Sequence, residues 1–263
     1  MPEVITRLAP YEDERGNAIE YAGDPVEQGV AIKFTGSNNR VRIAHPVRIG
    51  KLQVDFDCDN GLLTIGASSG VPALSTTMRI GQDSSVRIGA NVSTTSAVSI
   101  SATEGTTVSI GDDVMFASGN EIRADDGHPI FDVATGKRVN VSKSITIGDH
   151  VWLGRLSAVL GGATIGNGTV IGYGSIVTGR IPNNCVAVGV PARPVRYDTA
   201  WERPHLSLVR PYYKPDASTI TRSPYWHLSE RPSERRPKAV VLLERARSRA
   251  SGVLRRVKRR LAR

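Results

Sequence analysis

The chain has 263 residues, a formal net charge of +9, 40% hydrophobic residues and only 5% aromatics. That apolar share supports a packed core and excludes wholesale disorder, but a core poor in Phe and Tyr has to be filled by Val, Ile, Leu and Ala. No run approaches the roughly 20 apolar residues of a membrane-crossing helix, and two distant cysteines, Cys58 and Cys185, make no disulfide framework.

Residues 1–35 read as an N-terminal cap. Glu3 lies early and no apolar signal-like stretch follows, so a cytoplasmic setting with free thiols is expected. Residues 36–196 read as one repetitive domain. Its phrase appears as Val41-Arg42-Ile43-Ala44, Val47-Arg48-Ile49-Gly50, Leu63-Thr64-Ile65-Gly66, Met78-Arg79-Ile80-Gly81 and Val86-Arg87-Ile88-Gly89. The early spacings of eight to twelve residues imply small loops at corners. After Ser144 the period tightens to six, through Ile147, Leu153, Val159, Ile165, Ile171 and Val177. Gly148, Gly154, Gly166 and Gly172 follow four of these. A helix does not hold a period of six with recurrent glycine. A hexapeptide repeat instead predicts an all-β fold, a parallel β-helix in which three hexads make one triangular coil and residue i stacks on i+18.

The repeat is interrupted once, by a polar loop over residues 124–143. Such insertions in a solenoid land on one face and often form the site. His128 lies in this loop between Gly127 and Pro129, beside Asp125 and Asp126. A neutral imidazole can take a proton from a hydroxyl that attacks a carbonyl, and a nearby carboxylate can orient it. Asp126 or Asp125 suits that role, with Asp132 a third option. Beyond the loop, Trp152 should point outward next to the inward Leu153; an outward tryptophan needs a cover, either a subunit interface or a ligand. His150 is also expected on the outside, where it could join the site. Cys185, among alternating valines, reads as a buried apolar thiol. No phosphate-binding glycine loop is present, and no metal site is expected.

Residues 197–237 are rich in Pro, Tyr and Trp and read as an extended arm. Residues 238–263 read as an amphipathic basic helix. From Pro237 to Arg263 ten Lys or Arg face Glu244 alone, whereas the rest of the chain is electrically neutral. This segment suits an anionic membrane surface. Without aromatics between the arginines it is not expected to bind nucleic acid specifically.

Three segments together are specific: Ile122-Arg123-Ala124-Asp125-Asp126-Gly127-His128-Pro129-Ile130-Phe131-Asp132, Ile145-Thr146-Ile147-Gly148-Asp149-His150-Val151-Trp152-Leu153-Gly154, and Val188-Gly189-Val190-Pro191-Ala192-Arg193-Pro194-Val195-Arg196. In these the chain resembles the left-handed β-helix acyltransferases, and among them the sugar O-acetyltransferases of polysaccharide and capsule biosynthesis. The resemblance implies a homotrimer with active sites between subunits, acetyl-CoA as donor, and direct transfer to a saccharide or lipid-linked glycan hydroxyl. It implies His128 as the base and Trp152 as the aromatic lining the acyl site. It also implies Gly154, Ala158, Gly161 and Gly172 along the pantetheine path, and Arg193 and Arg196 near the nucleotide phosphates. Arg155 and Leu156, and Gly161 where the family often has proline, depart from its pattern beside that path. The competing reading is a noncatalytic β-helix scaffold at a membrane surface.

Overall fold

A computed structural model of the chain describes residues 4–230. They wind into a parallel β-helix with three sheets. Face one has eight strands and includes Val98–Ala102, Glu121–Arg123 and Ala158–Leu160. Face two has six and includes Met115–Phe116, Trp152–Leu153 and Cys185–Gly189. Face three has nine and includes Thr107–Ile110, Ile145–Ile147 and Thr164–Ile165. Each full coil visits face three, then two, then one.

The expected period of 18 holds where the hexads are regular: Ile147 pairs with Ile165, Leu153 with Ile171 and Val159 with Val177. Earlier coils are longer. Ile19, Val41, Leu63, Val86 and Val108 stack at steps of 22 or 23 residues. In these coils the strands on faces three and one are longer, and face two acquires its first strand only at Ser93–Thr94. Parallel stacking already begins at Ala18–Tyr21, inside the segment read as a cap; Val4–Ile5 pairs antiparallel with Val30–Phe34, and Tyr11–Glu12 with Ala18–Tyr21, at that end.

The interior is filled by stacked columns of apolar side chains, two of them on face three. Val41, Leu63, Val86, Val108 and Ile145 are fully buried, each side chain contributing about 1.5–3 kcal/mol by leaving water. The recurrent Gly-Asp/Asn pair has a specific cause at the corner from face three to face two. There Asp149 Oδ1 accepts the backbone N–H of Asp112 at 2.8 Å, Asn167 Oδ1 that of Asp149 at 2.8 Å, and Asn183 Oδ1 that of Asn167 at 2.8 Å. A Cβ on Gly111 or Gly148 would collide with the Asx oxygen of the following coil. Glycine is therefore needed because its neighbour's side chain fills the space.

Residues 198–230 are not the extended arm expected from composition. They contain two short 3-10 turns, Ala217–Thr219 and Pro224–His227, and double back on the face three to face two corner. The amphipathic basic helix expected over 238–263 lies outside the described residues.

Candidate functional site

The 124–143 insertion leaves the corner from face one to face three as a hairpin-like loop with an antiparallel bridge between Phe131 and Arg138. Its base is closed by Lys143 N donating to Ala124 O at 3.0 Å. Asp125 is buried and fixes the outgoing limb. It accepts from Ser101 Oγ at 2.5 Å and Gly127 N at 3.0 Å, with the Arg79 guanidinium 3.5 Å away. The returning limb is held by Glu104, which binds the Arg138 guanidinium and accepts from Ser142 Oγ at 2.5 Å. These hydrogen bonds hold the Glu104 carboxyl down at about 2.

His128 is exposed at the start of this loop. It borders a cavity of about 290 Å3 with Cys58, Arg79, Thr103, Asp125 and Ser142. Neither Asp125 nor Asp126 hydrogen-bonds its imidazole; both fix the backbone around it. Asp126 Oδ2 accepts from Asn140 Nδ2 at 2.9 Å, and the same amide donates to His128 O at 2.8 Å. Asp132 lies at the loop tip, where Thr135 N and Oγ1 donate to it at 2.7 and 2.8 Å and hold its carboxyl below the ordinary range. Asn140 was not among the residues expected at the site. Its signal in sequence is only its place opposite His128 across a turn.

Trp152 lies on face two, 38% exposed. In a triangular coil, face two is opposite the corner that carries the loop. One chain therefore holds His128 and Trp152 on opposite sides and does not bring them together. Trp152 is partly covered by its own chain: the Trp201 ring lies 5.9 Å from it, tilted by 46°.

His150 does not face solvent as the alternation of neighbouring strands suggests. It is 2% exposed, in a turn with φ 52°, stacked between Trp201 at 4.2 Å and Tyr225 at 4.7 Å. Its Nδ1 lies 2.5 Å from Asp113 Oδ2, and its Nε2 lies 2.9 Å from Trp201 O. Arg203 binds Asp113 Oδ1 at 2.5 Å and Ser93 Oγ at 2.8 Å. His150 thus anchors residues 201–225 and is unavailable to a substrate. Burial would push the Asp113 carboxyl up, but the His150 hydrogen bond and the Arg203 charge outweigh it and hold it below the ordinary range. Cys185 is buried, which pushes its thiol up, as befits an inert packing residue.

Gly154 and Gly172 lie at the corner from face two to face one. Both are already required by packing: a Cβ on Gly154 would sit 2.7 Å from Ile171 O, and one on Gly172 2.5 Å from Val188 Cγ1. Ala158 is half-buried on face one. Gly161 lies under the loop base, where a Cβ would meet Ala124 O at 3.0 Å, and helps line a cavity of about 190 Å3 with Asp126 and Asn140. Arg193 and Arg196 are exposed on strand Ala192–Tyr197, which pairs antiparallel with Cys185–Gly189. Leu156, Tyr173, Val188 and Val190 expose an apolar strip beside them. A larger depression of about 1110 Å3 over face three, flanked by the Glu20–Arg42 ion pair, contains none of these groups. Among the described residues no cluster of three or more His, Cys, Asp or Glu side chains is arranged to hold a metal.

Residues 144–179 match the family described as bacterial transferase hexapeptide (six repeats). The polysialic acid O-acetyltransferase of Escherichia coli O1:K1 / APEC is 38% identical over 82 residues, 31% of this chain and 27% of the relative. The galactoside O-acetyltransferase of Escherichia coli K12 is 47% identical over 70 residues, 27% of this chain and 34% of the relative. The matched segment thus spans about a quarter to a third of these curated relatives. Among solved structures, that of the polySia-specific acetyltransferase NeuO aligns with 33% identity and a TM-score of 0.59, covering 68% of this chain and 83% of that one. The polysialic acid O-acetyltransferase OatWY aligns with 27% identity and a TM-score of 0.50, covering 66% and 82%.

Proposed function

The chain belongs to the hexapeptide-repeat acetyltransferases, left-handed β-helices, and on that premise we propose that it transfers an acetyl group from acetyl-CoA to a saccharide hydroxyl, with His128 as general base. The observation that carries the proposal is the pinned loop: it holds an exposed imidazole beside a cavity bordered by Arg79, Thr103 and Ser142, with the backbone on both sides of His128 fixed by hydrogen bonds.

The active assembly is a homotrimer with sites between subunits. Two exposed apolar surfaces lie at different corners of the coil, on either side of face one. One is the loop, through Ile130, Phe131, Val139 and Val141; the other is the strip of Leu156, Tyr173, Val188 and Val190. Surfaces placed this way make a head-to-tail contact, which is satisfied in every copy only when the ring closes. Such a ring carries His128 of one protomer toward the Trp152 face of the next, which answers the separation seen within a single chain. The apolar strip suits the pantetheine arm of the donor, and Arg193 and Arg196 suit its phosphates.

In the reaction, His128 takes the proton of the acceptor hydroxyl as that oxygen attacks the thioester carbon. The oxyanion collapses, the carbon–sulfur bond breaks, and the proton goes from the imidazolium to the departing sulfur, leaving acetyl ester and free thiol. The saccharide acceptor is supported by the substrates that the relatives' names give. Transfer by the His128→Ala variant should fall about 10²–10⁴-fold while the oligomer persists. Wild-type turnover by that variant would remove the assignment. Calorimetric titration with acetyl-CoA should give saturable binding at one site per chain; absence of heat from a folded oligomer would favour the scaffold reading.

A further inference from the structure

We propose that the arm loop Leu206–Tyr213 is a membrane-docking element that seats in the interfacial layer of an anionic bilayer. This goes beyond the acetyltransfer reading and rests on it only for the surfaces assigned to the subunit ring.

The loop exposes Leu206, Leu208, Val209, Tyr212 and Tyr213, with Leu208 76% and Tyr213 89% exposed. Five large apolar side chains within eight residues are exposed, and such a concentration marks an interaction surface. The loop is also built to hold its shape. Lys214 Nζ donates to Val209 O at 2.7 Å, Pro211 O at 2.8 Å and His205 O at 3.4 Å. Three carbonyls that would otherwise need water are satisfied from within, which lowers the cost of moving the loop into a less polar layer. The Arg210 guanidinium lies over the Tyr212 ring at 5.5 Å, an amphipathic pairing suited to the headgroup level, where tyrosine rings concentrate.

Charge identifies the occupant. Between Pro204 and Pro215 the loop itself carries Arg210 and Lys214 and no Asp or Glu, which complements an anionic headgroup layer. Among the described residues no helix is long and apolar enough to cross a membrane. A second copy is the weaker candidate. The arm is rooted through Trp201 and Arg203 at the corner from face three to face two, whereas the two apolar surfaces assigned to the subunit ring lie at the other corners.

The test is sedimentation of the full chain with phosphatidylcholine vesicles, with and without phosphatidylglycerol, at low and high salt. Electrostatic attraction to the headgroups is screened by salt; insertion of the loop is not. Wild-type protein should bind the anionic vesicles and keep a salt-resistant fraction. The Leu208→Ser/Tyr213→Ser variant should lose that fraction by at least about tenfold, with unchanged oligomeric state and unchanged turnover of a soluble acceptor. The idea is overturned if the wild type ignores anionic vesicles, if the variant keeps salt-resistant binding, or if the substitutions instead dissociate the oligomer. Should the double variant fold poorly, Tyr213→Trp supplies a second reading: brominated lipid should quench its fluorescence beyond the wild-type level, and equal quenching would overturn the proposal.

Discussion

Asn140 holds His128 by its backbone: Nδ2 donates to His128 O at 2.8 Å, while Oδ1 accepts from Ile130 N at 2.7 Å. One amide thus joins the two limbs of the loop on either side of Pro129. Asn140→Ala should therefore reduce kcat by about 10–100-fold, since a shift near 1 Å in a catalytic group costs on that order. Asn140→Asp should be no better, because a carboxylate cannot donate to the carbonyl and would face Asp126. The donor KM should stay near wild type. Steady-state kinetics decide the matter; unchanged kcat in both variants would show that the loop holds its shape without this side chain.

The contact between Asp113, His150 and Arg203 predicts a pH dependence of stability. The Asp113 carboxyl is held below its ordinary value in the folded chain. Its contribution is then fully present above the unfolded value of about 3.9 and is lost as the pH falls through the lower folded value. Urea midpoints of wild type and Asp113→Asn should differ near neutrality and converge in acid. A gap that stays constant down to the acid limit would mean that the carboxylate charge is not what anchors the arm.

At the corners, Gly148→Ala should destabilise by about 1–3 kcal/mol, because its Cβ overpacks against Asn167 Oδ1. Gly179→Ala is the matched control. Nothing lies within 4 Å of its Cβ and its φ is not positive, so it should be neutral or slightly stabilising. Equal thermal shifts for the two would contradict the packing account.

The Glu104 clamp should be insensitive to pH in the usual assay range. Its carboxyl sits at about 2, so it stays ionised and puts no inflection into the activity profile at mildly acidic or neutral pH. Glu104→Gln should instead raise hydrogen exchange at residues 138–142 by weakening the grip on Arg138. Unchanged exchange there would place the hold on the loop elsewhere.

The regular hexads were legible because one aliphatic position per hexad sets the inside of the coil, and Ile147 through Val177 fall where that rule puts them. The early repeats at Val41, Leu63 and Val86 were legible as well and do stack; the length of their coils was not, since extra residues extend strands such as Leu74–Ile80 as well as forming corner loops. His150 was misplaced because alternation applies within a strand, whereas this residue is in a positive-φ turn covered by Trp201 from 51 positions later. The His128 loop could be found as a break in the repeat. Its supports could not, because Ser101 and Glu104 reach it from an earlier coil by stacking, a relation with no fixed spacing in sequence.

The Asx oxygens at the coil corners constrain how such a chain changes length over evolutionary time. Asp149 accepts from the coil before it and donates its own N–H to the coil after it, so each coil in this series is both a lock and a key. Duplicating or deleting one whole coil leaves each junction with one acceptor and one donor. A partial insertion within the corner leaves an unmatched pair at two levels. Diversification is therefore channelled into whole-coil steps and into loops thrown outward between strands, such as the one that carries His128.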